Sequence, residues 1–267
     1  MIVRSLFTKT LYDRRWFVAG WSIGIGLMVW LVLIFFPSLS KDASFEQIAA
    51  TLPEQFRGLI GEAASFTQLP HYIATQLYGI RIPLFLMIMA LVLAQVLTVG
   101  EEERGTLRTL LATPLSRGRV IIEKWLASIL IFAAAISFTA LATYAGTASI
   151  GETAPHQLIW ELAALSLCFA VASFSVPFGV ALATGSRALT MTVGITVTIG
   201  SFILSSFAAS VQWLEPWDVL SLIHYYDASR VVNDGINGLH VIVLIGIAAV
   251  SLIIGWIGFR SRDIKGN

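Results

Sequence analysis

The sequence predicts an all-α membrane protein of six spanning helices, with both termini on the cytosolic side. Three observations lead there. Hydrophobic residues make up 57% of the 267 residues and charged residues 12%, against about 45–50% and about 25% in soluble domains. A chain this apolar lacks the polar side chains to cover a soluble surface, and its mean hydropathy of +0.81 says the same. Six apolar runs approach or exceed the roughly 20 residues that cross a bilayer as a helix. Lys and Arg are partitioned between the intervening loops in the manner of the positive-inside rule.

The first run, Trp16 to Phe36, follows Arg4, Lys9, Arg14 and Arg15. It exceeds the roughly 7–15 residues of a signal-peptide core and no A-x-A-like site follows it, so a retained span is expected. The others are Ile82–Val99, Trp125–Thr147, Leu158–Ala183, Ala188–Ala209 and Leu239–Phe259. The second has room to begin earlier, near His71, because 72–78 is only mildly polar.

With the N-terminus inside, the inner set is Arg4, Lys9, Arg14, Arg15, Arg104, Arg108, Arg117, Arg119, Lys124, Arg187, Arg260, Arg262 and Lys265. Only Lys41, Arg57, Arg81 and Arg230 fall outside. The net charge of +1 gives no sign of a nucleic-acid partner. The single cysteine, Cys168, excludes an internal disulfide.

The whole chain, 1–267, reads as one transmembrane domain without internal repeats. Residues 1–15 carry Ile2, Leu6, Phe7 and Leu11 on one helical face, which suits a helix lying in the inner interface. Residues 37–81 and 210–238 are the long extracytoplasmic segments. The first has apolar residues at near-helical spacing. The second carries Trp213, Trp217, Tyr225 and Tyr226, suited to an interfacial aromatic belt. Pro177 should kink the fourth span. Gly20 and Gly24 form a small-xxx-small pair expected to pack locally. Arg81 and Glu161, near outer span ends, are expected to snorkel.

Between the second and third runs lies a dense charged segment, residues 100–117. Glu101, Glu102 and Glu103 are placed to open a helix, where carboxylates meet the positive end of the dipole. Leu107, Leu110 and Leu111 form an apolar stripe, and Arg104 and Arg108 sit four apart on another face. Thr113 precedes Pro114 and should end that helix. Ser116 is a plausible N-cap for a helix running from Arg117 through Lys124 into the third span.

The pattern of Glu101, Gly105, Thr106, Leu107, Leu110, Leu111, Pro114, Ser116, Arg117 and Lys124 resembles the signature of ABC-2-type transporter permeases. The six-span layout resembles that family too, so the likeness covers essentially the whole chain. It implies that Glu101–Leu111 is a coupling helix docking on a separate cytosolic ATPase, with Glu102, Glu103, Arg104, Gly105, Thr106, Arg108, Pro114 and Arg117 in the same docking segment. It likens the N-terminal helix to the family's connecting helix. It implies two ATPase subunits and a second permease, a copy or a paralogue, in the lipid bilayer of a bacterial inner membrane. No G-x-x-x-x-G-K-[ST] loop occurs in the sequence. No cofactor is therefore expected on this chain, and ATP with Mg would sit on the partner. The expected function is a permease, most naturally an exporter, with no covalent chemistry of its own.

Two other classes were weighed. A related assembly could couple ATP hydrolysis to signalling or membrane remodelling, which ATP-dependent solute transport in vesicles would distinguish. A membrane metalloenzyme needs carboxylates and histidines that converge. Here His71, His156, His224 and His240 all lie near outer span ends, no H-E-x-x-H occurs, and the glutamates lie a bilayer away.

For a translocation path, Gln95 is the strongly polar residue within span two, and a buried amide must face protein or water rather than lipid. Span five is rich in hydroxyls, and Thr192 and Thr196 lie one turn apart. Each has a simpler role in helix packing. By resemblance, spans two and five face the dimer axis.

Overall fold

The computed structural model describes residues 5–40, 67–106, 116–208 and 211–262. Within them the chain is helical apart from turns and short irregular stretches. Six helices are long and apolar enough to cross a membrane: Arg15–Ser40, Leu69–Glu103, Arg117–Ser149, His156–Thr184, Arg187–Ala208 and Gly238–Ser261. They are spans one to six below. A short N-terminal helix, Leu6–Asp13, precedes span one.

Span four is the centre of the bundle. It packs against spans two, three, five and six, while span one packs mainly on span three. Spans two and four are mostly buried, whereas spans one, five and six each leave a broad apolar face uncovered. Such faces are compatible with lipid as solvent.

Close approach of spans four and six rests on small residues. A Cβ on Gly255 would lie 2.7 Å from the Cα of Gly179, and one on Gly179 would overlap the Ser251 carbonyl oxygen. Gly26 does the same for spans one and three, where a Cβ would come within 2.8 Å of the Phe138 ring. The expected pair Gly20 and Gly24 behaves differently. Among the described residues, nothing beyond its own helix backbone and chain neighbours lies within 4 Å of a Cβ built on either. They floor an open groove with Trp16, Phe17, Trp21, Ile25 and Phe85. The small-xxx-small pattern marked a groove where local packing was expected, because Ser22, Ile25 and Val29 carry the buried face of span one.

The helix of span two starts at Leu69, well before the run Ile82–Val99. Pro37–Ser40 continue span one, so the outer segment assigned to 37–81 is shorter at both ends. The extension contains a π-helix, Ile73–Arg81. Pro83 follows it closely and has no amide hydrogen for the turn below. Arg81 folds back rather than reaching outward. Its Nη1 donates to the Gln76 carbonyl at 2.5 Å and to Gln76 Oε1 at 3.0 Å. Residues 41–66, with their expected amphipathic helices, lie outside the described residues.

The second outer segment contains a 3-10 helix, Glu215–Leu220, and a helix, Ala228–Asp234. Trp213 and Trp217 are exposed, as a belt requires. Tyr226 is buried instead. Its hydroxyl lies 2.7 Å from Ser166 Oγ of span four, and its ring lies against Phe169. A buried phenol needs a partner, and span four supplies it. Asp218 ties this segment to span five, accepting from Ser205 Oγ at 2.6 Å and pairing with His224 Nδ1 at 2.6 Å.

Candidate functional site

At the opposite end of the bundle, span two breaks at Thr98 (φ −123°, ψ −91°) and restarts as a short helix, Val99–Glu103. Thr98 Oγ1 donates back to the Ala94 carbonyl at 2.6 Å, satisfying an acceptor the break would strand. The restarted helix carries Glu101 and Glu102 in its first turn, as the sequence suggested, and ends at Glu103. Gly105 follows in the left-handed region, φ +71°, which glycine adopts without steric cost.

Why would three consecutive carboxylates gather on one five-residue helix? Each has a basic partner. Glu101 Oε2 accepts from Lys124 Nζ at 2.7 Å, and its Oε1 lies 3.9 Å from Arg14. Glu102 is paired with Arg262. Glu103 lies 3.4 Å from Arg187. The partners come from the junction before span one and from spans three and five, with Arg262 just beyond span six. One short helix thus holds four other parts of the fold by charge.

These pairs differ in burial, which decides their weight. Lys124 is 2% exposed and also donates to the Leu97 carbonyl at 2.6 Å, capping span two. Breaking such a pair leaves a buried charge and costs several kcal/mol, about 3–5. Arg262 is half-buried and donates further to the Leu182 carbonyl of span four at 3.2 Å. That contact is shaped by Gly185, whose φ of +60° ends span four and whose missing side chain leaves room for the guanidinium. The Glu103–Arg187 pair is exposed on both sides, a class worth at most about 1 kcal/mol.

Span three begins at the same end. Ser116 is its N-cap, with Oγ accepting from the Arg119 amide at 3.3 Å. Arg117 Nη1 donates to the Phe259 and Arg262 carbonyls at 3.0 and 3.1 Å, capping span six. One turn on, Glu123 accepts from the Phe7 amide at 2.9 Å and from Arg119 Nε at 2.6 Å. A carboxylate on free amides at a helix start is favourable, so the N-terminal helix is fastened to span three. Its Leu6 and Thr10 are buried there.

Of the residues singled out from sequence, Glu101, Glu102, Glu103, Arg104, Gly105, Thr106 and Arg117 come together at this end. Thr106 Oγ1 donates to the Glu101 carbonyl at 3.0 Å. Leu107, Arg108, Leu110, Leu111 and Pro114 lie outside the described residues. Gln95 sits in the last third of span two, where its Nε2 donates to the Arg187 carbonyl at 3.3 Å. Thr192 and Thr196 lie on the exposed face of span five, while Thr190, Thr198 and Ser201 make its buried face. Arg14, Arg187, Arg262 and Glu123 are partners that sequence reading did not assign, and Lys124, named in the signature pattern, was given no partner there.

The chemistry available here is mechanical. A set of ion pairs and carbonyl caps couples one segment to almost every span, with the helix break at Thr98 on one side and Gly105 on the other. A family model described as "ABC-2 family transporter protein" matches residues 18–264. No curated protein matches the sequence.

Proposed function

We propose, from the premise that the chain belongs to the ABC-2 family of transporter proteins, that it is the membrane permease of an exporter driven by a separate ATP-binding subunit. The protein is a multi-pass membrane protein with a permease-type transport role. In the proposed assembly two ATPase subunits bind ATP and Mg, a second permease completes the membrane part, and the complex resides in a bacterial inner membrane. The segment from Glu101 toward Leu111 is the docking element on the ATPase.

One observation carries the reading. Consecutive carboxylates Glu101, Glu102 and Glu103 are each bound to a cation from a different part of the fold. A push on that segment is therefore transmitted to spans one, three, five and six together, with span four drawn in through Arg262. Closing of the ATPases on ATP supplies the push, and the spans answer by exchanging inward- and outward-facing arrangements. Such a device fits an external motor better than a passive loop.

The test is direct. Replacing Leu107 and Leu110 with Asp should release the ATPase during co-purification while the spans stay inserted. Retention of the ATPase by that variant would sink the docking assignment. ATP-dependent solute movement in vesicles holding both subunits tests export itself.

A further inference from the structure

Beside the glutamate segment, the N-terminal helix and residues 101–106 enclose a pocket of about 130 Å³. That is roughly ten times the room a single water needs. Its charged lining is Lys9, Arg14 and Arg104 against Asp13 and Glu101. Glu101 is already matched by Lys124 at 2.7 Å, so the pocket carries a surplus of positive charge. Among the described residues, neither the Lys9 nor the Arg104 side chain has an ion-pair partner. Arg14 reaches Glu101 only at 3.9 Å, and its Nε is buried without a hydrogen-bond partner. Burial lowers the Arg14 pKa from its ordinary value. Glu101 opposes that shift, the neighbouring charge of Arg104 adds to it, and Asp13 opposes it. Three cations around one cavity, one with an unused donor, describe a site that lacks an anion.

The level of the pocket in the bilayer narrows the choice. Tyr12 and Trp16 are exposed where the N-terminal helix meets span one, with the Arg15 guanidinium 3.8 Å from the Tyr12 ring and 5.9 Å from that of Trp16. Exposed Trp and Tyr at a span end mark the headgroup layer. Asp13 and Arg14 of the pocket lining lie between them in the chain.

We propose that Lys9, Arg14 and Arg104 form a binding site for a phosphate group, fitted to the headgroup of an anionic phospholipid. Occupancy fixes the N-terminal helix against residues 101–106, which among the described residues are linked by the Arg14–Glu101 pair. The site is independent of the transport reading, since neither an ATPase nor a direction of transport enters it.

The experiment uses the full chain in nanodiscs of neutral phosphatidylcholine with a rising share of phosphatidylglycerol, and in detergent with inorganic phosphate. The thermal unfolding midpoint and the phosphatidylglycerol retained on purification are read. Lys9 and Arg104 are exposed, so Lys9→Gln and Arg104→Gln should fold as the wild type does. Each should weaken the apparent affinity roughly fivefold, the effect of one cation near an anionic surface. Arg260→Gln, an exposed cation at the same end but outside the pocket, should change nothing. Stabilisation by phosphatidylglycerol that the two pocket variants lose supports the headgroup. Stabilisation by inorganic phosphate alone, lost in the same variants, supports the site with a phosphate drawn from water. Unchanged binding in the pocket variants, or an equal loss in Arg260→Gln, overturns the proposal.

Discussion

Lys124 and Glu101 meet at 2.7 Å where span three crosses the foot of span two, and the same ammonium holds the Leu97 carbonyl at 2.6 Å. One buried cation therefore closes both a salt bridge and the broken end of a helix.

Removing that cation alone should be costly. Lys124→Met leaves Glu101 facing only Arg14 and leaves the Leu97 carbonyl without its donor. A loss of about 3–5 kcal/mol is expected. Adding Glu101→Leu should restore part of it, giving a coupling of about 1–3 kcal/mol in a double-mutant cycle. Unfolding of the purified variants in a fixed detergent measures both. Additive losses would mean that the two residues do not act as a pair.

The other two glutamates should rank by burial. Glu102→Gln weakens a half-buried charged contact and should cost roughly 1–3 kcal/mol. Glu103→Gln touches an exposed pair and should cost less than about 1 kcal/mol. The same unfolding assay, repeated at high salt, should shrink the second difference more than the first.

Gly105→Ala places a Cβ in the left-handed region, with no atom of the described residues beyond its chain neighbours within 4 Å to clash against. The cost is backbone strain, about 1–2 kcal/mol, and it falls just past the glutamate segment. ATP-driven transport should drop while the amount of inserted protein stays near wild type. Normal transport would show that the segment does not need this backbone geometry.

Two glycine substitutions should have opposite signs. Gly179→Ala drives a methyl into the Ser251 backbone and should destabilise the protein by about 1–3 kcal/mol. Gly20→Ala meets nothing and removes a poor helix former, a gain of up to about 1 kcal/mol. Thermal midpoints of the two variants settle the comparison.

Much of the architecture was legible because lipid solvation writes itself into long apolar runs, and those runs match the six long helices to within a few residues at most ends. The Ser116 cap was legible because its signal is local. The partners of the glutamates were not. Arg14, Lys124, Arg187 and Arg262 arrive from across the fold, and no spacing rule in the sequence pairs them. The helix start at Glu101 and Glu102 was legible because acidic residues favour that end. Tyr226 looked like a belt residue because an aromatic near a span end usually is one, and only the position of Ser166 shows otherwise.

The pairing of Glu102 with Arg262 also orders events during synthesis. The two residues are 160 positions apart. Glu102 is therefore made and delivered to the membrane surface long before its guanidinium emerges, and the carbonyls at the end of span four wait as well. Newborn chains must hold this end of the bundle open until the last helix has been threaded. Arrival of Arg262 then acts as a closing stitch, so a ribosome stalled before that residue would leave a membrane protein fully inserted yet unlocked at its base.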